Sequence, residues 1–214
     1  MHLNLGAMKS GKSSQAIAQL WRAELQNRKP MAFKHIRDTR DPGVICTYTK
    51  QGKVEYPCTM FDDPEEIWVK TEGAKVVVID EIHLAPVGIV HVLLRLEIER
   101  QIETICCGLH STWRGQQWAT TNRLSGLPII TPHYHSAVCD ICLGDAEWSQ
   151  RIRDGRPVDW FETSEPTLKV GRDDYQPLCT GDWFKTTPGA WEALRQGLIG
   201  IVDPETTWDR AERR

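Results

Sequence analysis

The stretch "GAMKSGKS" (Gly6–Ser13) decides the fold. It fits the pattern G-x-x-x-x-G-K-[ST], and its surroundings are those the pattern requires. The apolar-leaning segment at residues 2–5 precedes it. "SSQAIAQLWRAELQ" (Ser13–Gln26) follows, with Ile17, Leu20, Trp21 and Leu25 at helical spacing. Strand, glycine-rich loop and helix in that order make a cradle for phosphate. Glycines let backbone N–H groups close around phosphate oxygens, and the helix N-terminus favours an anion. The predicted contact set is Gly6, Ala7, Met8, Lys9, Ser10, Gly11, Lys12, Ser13 and Ser14. Lys12 is expected to reach the terminal phosphates of ATP, and Ser13 to ligate magnesium.

A phosphate loop needs a second magnesium carboxylate, usually at the end of a neighbouring strand. "AKVVVIDEIHL" (Ala74–Leu84) supplies it in Asp80, after a continuous apolar run typical of a central parallel strand. Glu81 beside it can orient a hydrolytic water or take a proton from an acceptor hydroxyl. These are the chemistries of an ATPase and of a kinase. The tetrad Asp80-Glu81-Ile82-His83 also has the form of a helicase box. A helicase needs two motor domains, well over about 300 residues at roughly 150 per domain. Here the chain has 214 residues, and its character changes near residue 132.

Beyond these motifs, "MAFKHI" (Met31–Ile36) and "ETICCGL" (Glu103–Leu109) read as strands. "VHVLLRLEIERQ" (Val90–Gln101) reads as a helix and "EEIWVKTEG" (Glu65–Gly73) as a short helix or turn. Adjacent Cys106 and Cys107 read as core residues. The order predicts an α/β fold, a parallel sheet flanked by helices of the P-loop NTPase kind. The expected units are 1–132, a small second domain over 133–192, and a C-terminal helix ("AWEALRQGLI", Ala190–Ile199) with a charged, frayed tail over 193–214.

Hydrophobic residues make up 40% of the chain and charged residues 26%, enough for a core. The net charge of −3 is no electrostatic footprint for nucleic acid. Neither an export signal nor a run of about 18 apolar residues is present, so a cytoplasmic protein without membrane partner is expected. In that setting the seven cysteines read first as metal ligands or core residues. Cys139 and Cys142 form a C-x-x-C knuckle. Cys179 and Asp182 occupy the places of a second, which makes a structural zinc site. His133 and His135 are rival fourth ligands. A redox C-x-x-C opens a helix after a strand, and "HSAVCDICLGD" does not have that form.

Six segments in register resemble the thymidine kinase family of the zinc-containing cellular and bacterial kind, in the manner of a divergent viral or phage member. They are "GAMKSGKS", "FKHIRDTRDPGVICTYT" (Phe33–Thr49), "VVVIDEIHL" (Val76–Leu84), "GLHSTWR" (Gly108–Arg114), "VCDIC" (Val138–Cys142) and "VGRDDYQPLC" (Val170–Cys179). The resemblance implies ATP- and magnesium-dependent phosphorylation of the 5′-hydroxyl of thymidine or deoxyuridine, within DNA-precursor synthesis. It makes Glu81 the general base, places Asp38 and Arg40 near sugar and phosphates, and makes the second domain a zinc-held lasso. Met8, Leu84, Leu109, Ser149 and Tyr175 would flank the base. The main chain of Leu168, Lys169, Val170, Gly171 and Arg172 would read its edge. A dimer or tetramer is also implied.

Five departures stand out. Leu84 replaces an aromatic residue, His83 a Gln, His110 an Asp, and Asp182 a Cys or His. Ser111 also stands for a Gly. The phosphoryl-transfer residues are all present. Leu84 therefore bears on substrate choice more than on chemistry.

Overall fold

The structure is a computed structural model, and it describes residues 1–167 and 174–206. Strands and helices alternate through the first part: β1 (His2–Gly6), α1 (Lys12–Leu25), β2 (Pro30–His35), a hairpin of β3 (Val44–Thr49) and β4 (Gly52–Pro57), β5 (Thr59–Phe61), α2 (Glu65–Lys70), β6 (Val76–Asp80), α3 (Ile89–Ile98), β7 (Glu103–Gly108), α4 (Ala119–Ser125) and β8 (Thr131–His135). Six of these strands form one sheet in the order β5-β2-β6-β7-β1-β8, with every pairing parallel. The α/β class predicted from the motif order is thus the observed one.

Burial on both faces explains the unbroken apolar run of β6. Side chains alternate across a strand, so a strand covered on both sides has no polar positions to spare. Val77 and Ile79 pack with Leu3, Leu5, Phe33 and Cys106 under α2, α3 and α4. Val76 and Val78 pack with Ile105 and Cys107 under α1 and the β3–β4 hairpin. Cys106 and Cys107 therefore face opposite layers, both as core residues. Burial pushes the Cys106 thiol up to about 12 and raises Cys107 as well, so neither is a reactive thiolate.

The buried stripe of α1 differs from the predicted one. Ala16, Ile17, Leu20 and Ala23 face the sheet, whereas Trp21 is 46% exposed and Leu25 is 87% exposed. Small residues let α1 approach the sheet closely, and the larger Trp21 falls on its outer flank.

The second part of the chain consists of short pieces: β9 (Ala137–Val138), β10 (Asp145–Ala146), β11 (Trp148–Arg153), β12 (Arg156–Pro157), β13 (Tyr175–Leu178), α5 (Thr180–Thr186) and α6 (Ala190–Arg195). β9 and β10 form an antiparallel ribbon, and β12-β11-β13 a three-stranded antiparallel sheet. Its core is built from Trp160, Leu178, Trp183, Ala190 and Ala193, with Trp148 stacked on Trp183 at 4.5 Å. The expected boundary at 132 falls inside β8, which pairs with β1 through His135. The C-terminal helix ends at Arg195, four residues short of the predicted end, where Gly197 takes a left-handed conformation (φ 69°). Leu198 and Ile199 then turn back onto the second core. Among the described residues no helix is long and apolar enough to cross a membrane.

Candidate active site

β1 and β6 end on the same edge of the sheet, the carboxyl edge, where ligands bind in open α/β sheets. Gly6 closes β1, and a Cβ there would lie 2.1 Å from the His135 carbonyl oxygen, so only glycine fits against β8. Gly11 (φ 82°) turns the loop into α1, again a conformation suited to glycine. The Lys12 ammonium is folded into this loop. It donates to the carbonyls of Gly6 (3.1 Å) and Ala7 (2.6 Å) and to Ser10 Oγ (3.0 Å). Burial lowers its pKa, opposed by the nearby Glu81 and Asp80 carboxylates.

Ser13 Oγ donates to Asp80 Oδ2 at 3.0 Å, which joins the two predicted magnesium ligands across β1 and β6. Asp80 is 5% exposed. Burial, reinforced by the adjacent Glu81 charge, pushes its carboxyl up to about 7. A buried carboxylate so placed gains from a neighbouring cation.

Glu81 has the opposite shift. Burial pushes its pKa up, but the Arg40 guanidinium, together with His83 and Lys12, holds the carboxyl below its ordinary range. Arg40 Nη2 donates directly to Glu81 Oε1. Arg40 also clamps Asp38, with Nε at 2.9 Å from Oδ1 and Nη2 at 3.1 Å from Oδ2. Lys34, 3% exposed at the side chain, lies 3.3 Å from Asp38 Oδ2 and anchors to the carbonyls of Asp41 and Val44. Two cations and two carboxylates thus form one chain from β2 to the end of β6, buried at Lys34 and Asp38 and half-buried at Arg40 and Glu81. Glu81 itself sits at φ 51°, the left-handed region that non-glycine residues occupy at a cost of about 1 kcal/mol or more. That backbone turn carries the Glu81 side chain off the strand line and into the cavity.

His83 received no role from the sequence, yet the structure places it against this chain. Its Nδ1 accepts the Leu109 N–H at 3.2 Å and lies 3.5 Å from Glu81 Oε2. Burial drives its pKa down to about 4, so the ring is neutral near pH 7. His110, whose Nε2 is 3.2 Å from Ser111 Oγ, is likewise lowered to about 4, by burial and then by Lys12.

Lys12, Ser13, Lys34, Asp38, Arg40, Asp80, Glu81 and His83 face one cavity of about 650 Å3, within the range of small-molecule sites, and His110 is not part of its lining. Met8, Lys9, Ser10, Gly11, Lys12, Ser13, Ser14, Asp38 and Arg40 line it, as do Asp80, Glu81, Leu84, Leu109, Ser149 and Tyr175. Gly6 and Ala7 contribute carbonyls beneath. Ser149 does more than line the pocket: its Oγ accepts the Met8 N–H at 2.9 Å and ties β11 to the phosphate loop. Sequence reasoning missed Lys34, Trp113, Trp118 and Thr167, which also line the cavity. Lys34 had a signal, its four-residue spacing to Asp38. Trp118 comes from a loop whose path no local pattern sets. The predicted base-reading span Leu168, Lys169, Val170, Gly171 and Arg172 lies outside the described residues.

A second cluster lies in the smaller unit. Sγ of Cys139, Cys142 and Cys179 and a carboxylate oxygen of Asp182 all lie within 4.8 Å of one another. Asp182 Oδ2 is 3.4 Å from Cys139 Sγ and 3.3 Å from Cys179 Sγ, and Cys142 Sγ is 3.6 Å from Cys179 Sγ. Ligands about 2.0–2.3 Å from a tetrahedral zinc stand about 3.5–3.8 Å apart, so spacing and donor set are compatible with that ion. The rival histidines are elsewhere: His135 Nε2 is paired with Asn4 Oδ1 at 3.0 Å, and His133 stacks on His2.

A phosphate loop and a strand-end carboxylate pair on one cavity that extends beyond the loop are the arrangement of a phosphate-loop kinase. Comparison with known proteins sharpens this. The profile of the thymidine kinase family matches residues 1–183. A thymidine kinase of Mesoplasma florum is 30% identical over 186 residues, 84% of this chain and 88% of its own. Thymidine kinases of Coprothermobacter proteolyticus and Thermococcus kodakarensis are 28% and 29% identical, each over 81% of this chain and over 85% and 88% of their own lengths. The chain belongs to the thymidine kinase family.

Proposed function

We propose that this protein transfers the γ-phosphoryl group of ATP to the 5′-hydroxyl of thymidine or deoxyuridine, a step in the supply of DNA precursors. The observation that carries this reading is the Arg40–Glu81–Asp80–Ser13 arrangement beside the phosphate loop, all open to one cavity. The phosphate-loop amides and Lys12 hold the triphosphate. Ser13 and Asp80 would hold magnesium, which would supply charge neutralisation at the phosphates. Glu81 stays ionised because Arg40, with His83 and Lys12, more than offsets its burial, so it can accept the hydroxyl proton. Arg40 also stands where negative charge on the transferring group is offset.

The nucleoside lies between Leu84, Leu109, Tyr175, Met8 and Ser149, with Asp38 toward the sugar. Structural zinc on Cys139, Cys142, Cys179 and Asp182 cross-links the smaller unit. The 1–132, 133–192 and 193–214 division, a cytoplasmic location and assembly into a dimer or tetramer belong to the same reading.

The test incubates purified protein with labelled ATP and each deoxynucleoside in turn. Monophosphate formed from thymidine or deoxyuridine is the expected product. ATP turnover that no nucleoside stimulates would instead mark a nucleotide-hydrolysing regulator.

A further inference from the structure

The family profile ends at residue 183, yet the chain continues, and residues 199–206 do not hang free. They run alongside the loop that precedes α4. Gly200 N–H donates to the Gly115 carbonyl (2.9 Å), Gln117 N–H to the Ile201 carbonyl (2.7 Å), and Asp203 N–H to the Gln117 carbonyl (3.0 Å). Gln117 and Val202 form a parallel bridge. Thr206 Oγ1 then accepts the N–H of Ala119 at 3.0 Å, at the start of α4. The residue between these ties is Trp118, which lines the large cavity.

A second tie is made by a side chain. Asp203 is 3% exposed, and its Oδ2 accepts the Thr167 hydroxyl at 3.2 Å. Thr167 Oγ1 in turn accepts from Arg114 Nη1 at 3.3 Å, and Arg114 Nη2 donates to the carbonyls of Glu162 and Glu165. Thr167 also lines the large cavity. A buried carboxylate is costly unless its hydrogen bonds are made, so it holds its partners in place. Glu205 and Thr206 complete the ring around a small adjoining void of about 50 Å3, shared with Leu84 and Trp118.

We propose that residues 199–206 are a strap that sets the far wall of the nucleoside pocket, with Asp203 as its positioning residue. It acts through Thr167 and Trp118 and touches neither the phosphate loop nor the magnesium carboxylates. The proposal rests on the kinase reading for its kinetic consequence, while its structural consequence stands apart. Removing Asp203 loosens the nucleoside wall and leaves the ATP side as it was.

The experiment uses the full chain and its Asp203→Ala and Asp203→Asn variants, with thymidine and ATP varied separately. Asp203→Ala is expected to raise KM for thymidine about tenfold, the scale of one buried hydrogen bond lost. KM for ATP and kcat stay within about twofold, a margin well inside the scatter of such measurements. Asp203→Asn keeps an acceptor for Thr167 and recovers most of the loss. An unchanged KM for thymidine, or an equal rise in KM for ATP, overturns the proposal.

Hydrogen exchange at residues 115–119 and 160–167 is measured on the same proteins without substrate. Faster exchange there in Asp203→Ala supports the strap, and unchanged exchange overturns it, even if wild-type protein phosphorylates no nucleoside. If Asp203→Ala does not fold, Thr206→Val removes the strap's bond to the Ala119 N–H and is read in the same way.

Discussion

The two halves of this molecule are stabilised by different means. The parallel sheet buries apolar side chains on both faces, with Leu3, Leu5, Phe33, Val77, Ile79 and Ile105 each less than 5% exposed. The smaller unit has strands of two to six residues and a core of a few tryptophans among alanines. So small a core supplies little net stability, and units of this size usually rely on a cross-link or a metal. The Cys139, Cys142, Cys179 and Asp182 cluster stands where that cross-link is needed, between β9 and α5. The phosphate loop and the Asp80–Glu81 pair lie on the sheet side, and Ser149 and Tyr175 bring the smaller unit to the same cavity.

The largest test of this contrast is metal removal. One zinc per chain is expected by metal analysis, and its binding is worth about 10 kcal/mol or more in structural sites. Chelation should therefore expose β11 and β13 to hydrogen exchange while β6 and β7 stay protected. Equal loss of protection in both regions, or a metal-free protein that keeps full activity, would break the comparison.

On the sheet side, Glu81→Gln should lower kcat at least about 100-fold, the range for loss of a general base. KM for thymidine should change little, because Glu81 acts on the reacting hydroxyl and not on the base. A near-normal kcat removes Glu81 from the mechanism.

The pH dependence of stability comes next. His83 is neutral in the fold, its pKa lowered from 6.5 to about 4 by burial. The unfolded chain therefore binds the proton more readily. The contribution of His83 is fully present above pH 6.5 and is lost as pH falls toward 4. It amounts to about 3 kcal/mol at most. Denaturant melts at pH 7 and pH 4 should show His83→Gln losing less stability on acidification than the original chain, and parallel losses would refute this.

The smallest effect concerns Leu84. Leu84→Phe restores a ring face beside the base and should lower KM for thymidine by about threefold to tenfold, the value of one aromatic contact. A raised KM would show that Trp118, which lines the same cavity, already occupies that space.

By itself the sequence determined the phosphate loop, the strand-end carboxylates, the α/β order and the cysteines of the second cluster, whereas the choice of Asp182 over the two rival histidines came from the structure. Each of these is written in local spacing: glycines where the backbone must turn, an apolar run where both faces are buried, cysteines three apart. The line of Lys34, Asp38, Arg40 and Glu81 was legible in part, because three of its members carry recognisable motif positions. Tertiary structure alone decided the state of its charges. Glu81 and Asp80 are adjacent carboxylates of similar intrinsic acidity, and burial of Asp80 beside the Glu81 charge raises one, while Arg40, with His83 and Lys12, holds the other down. Only folding shows that Trp21 points outward, that His83 accepts the Leu109 N–H, and that Asp203 reaches Thr167. Such contacts join residues tens of positions apart. Side-chain periodicity and local spacing hold no information about them.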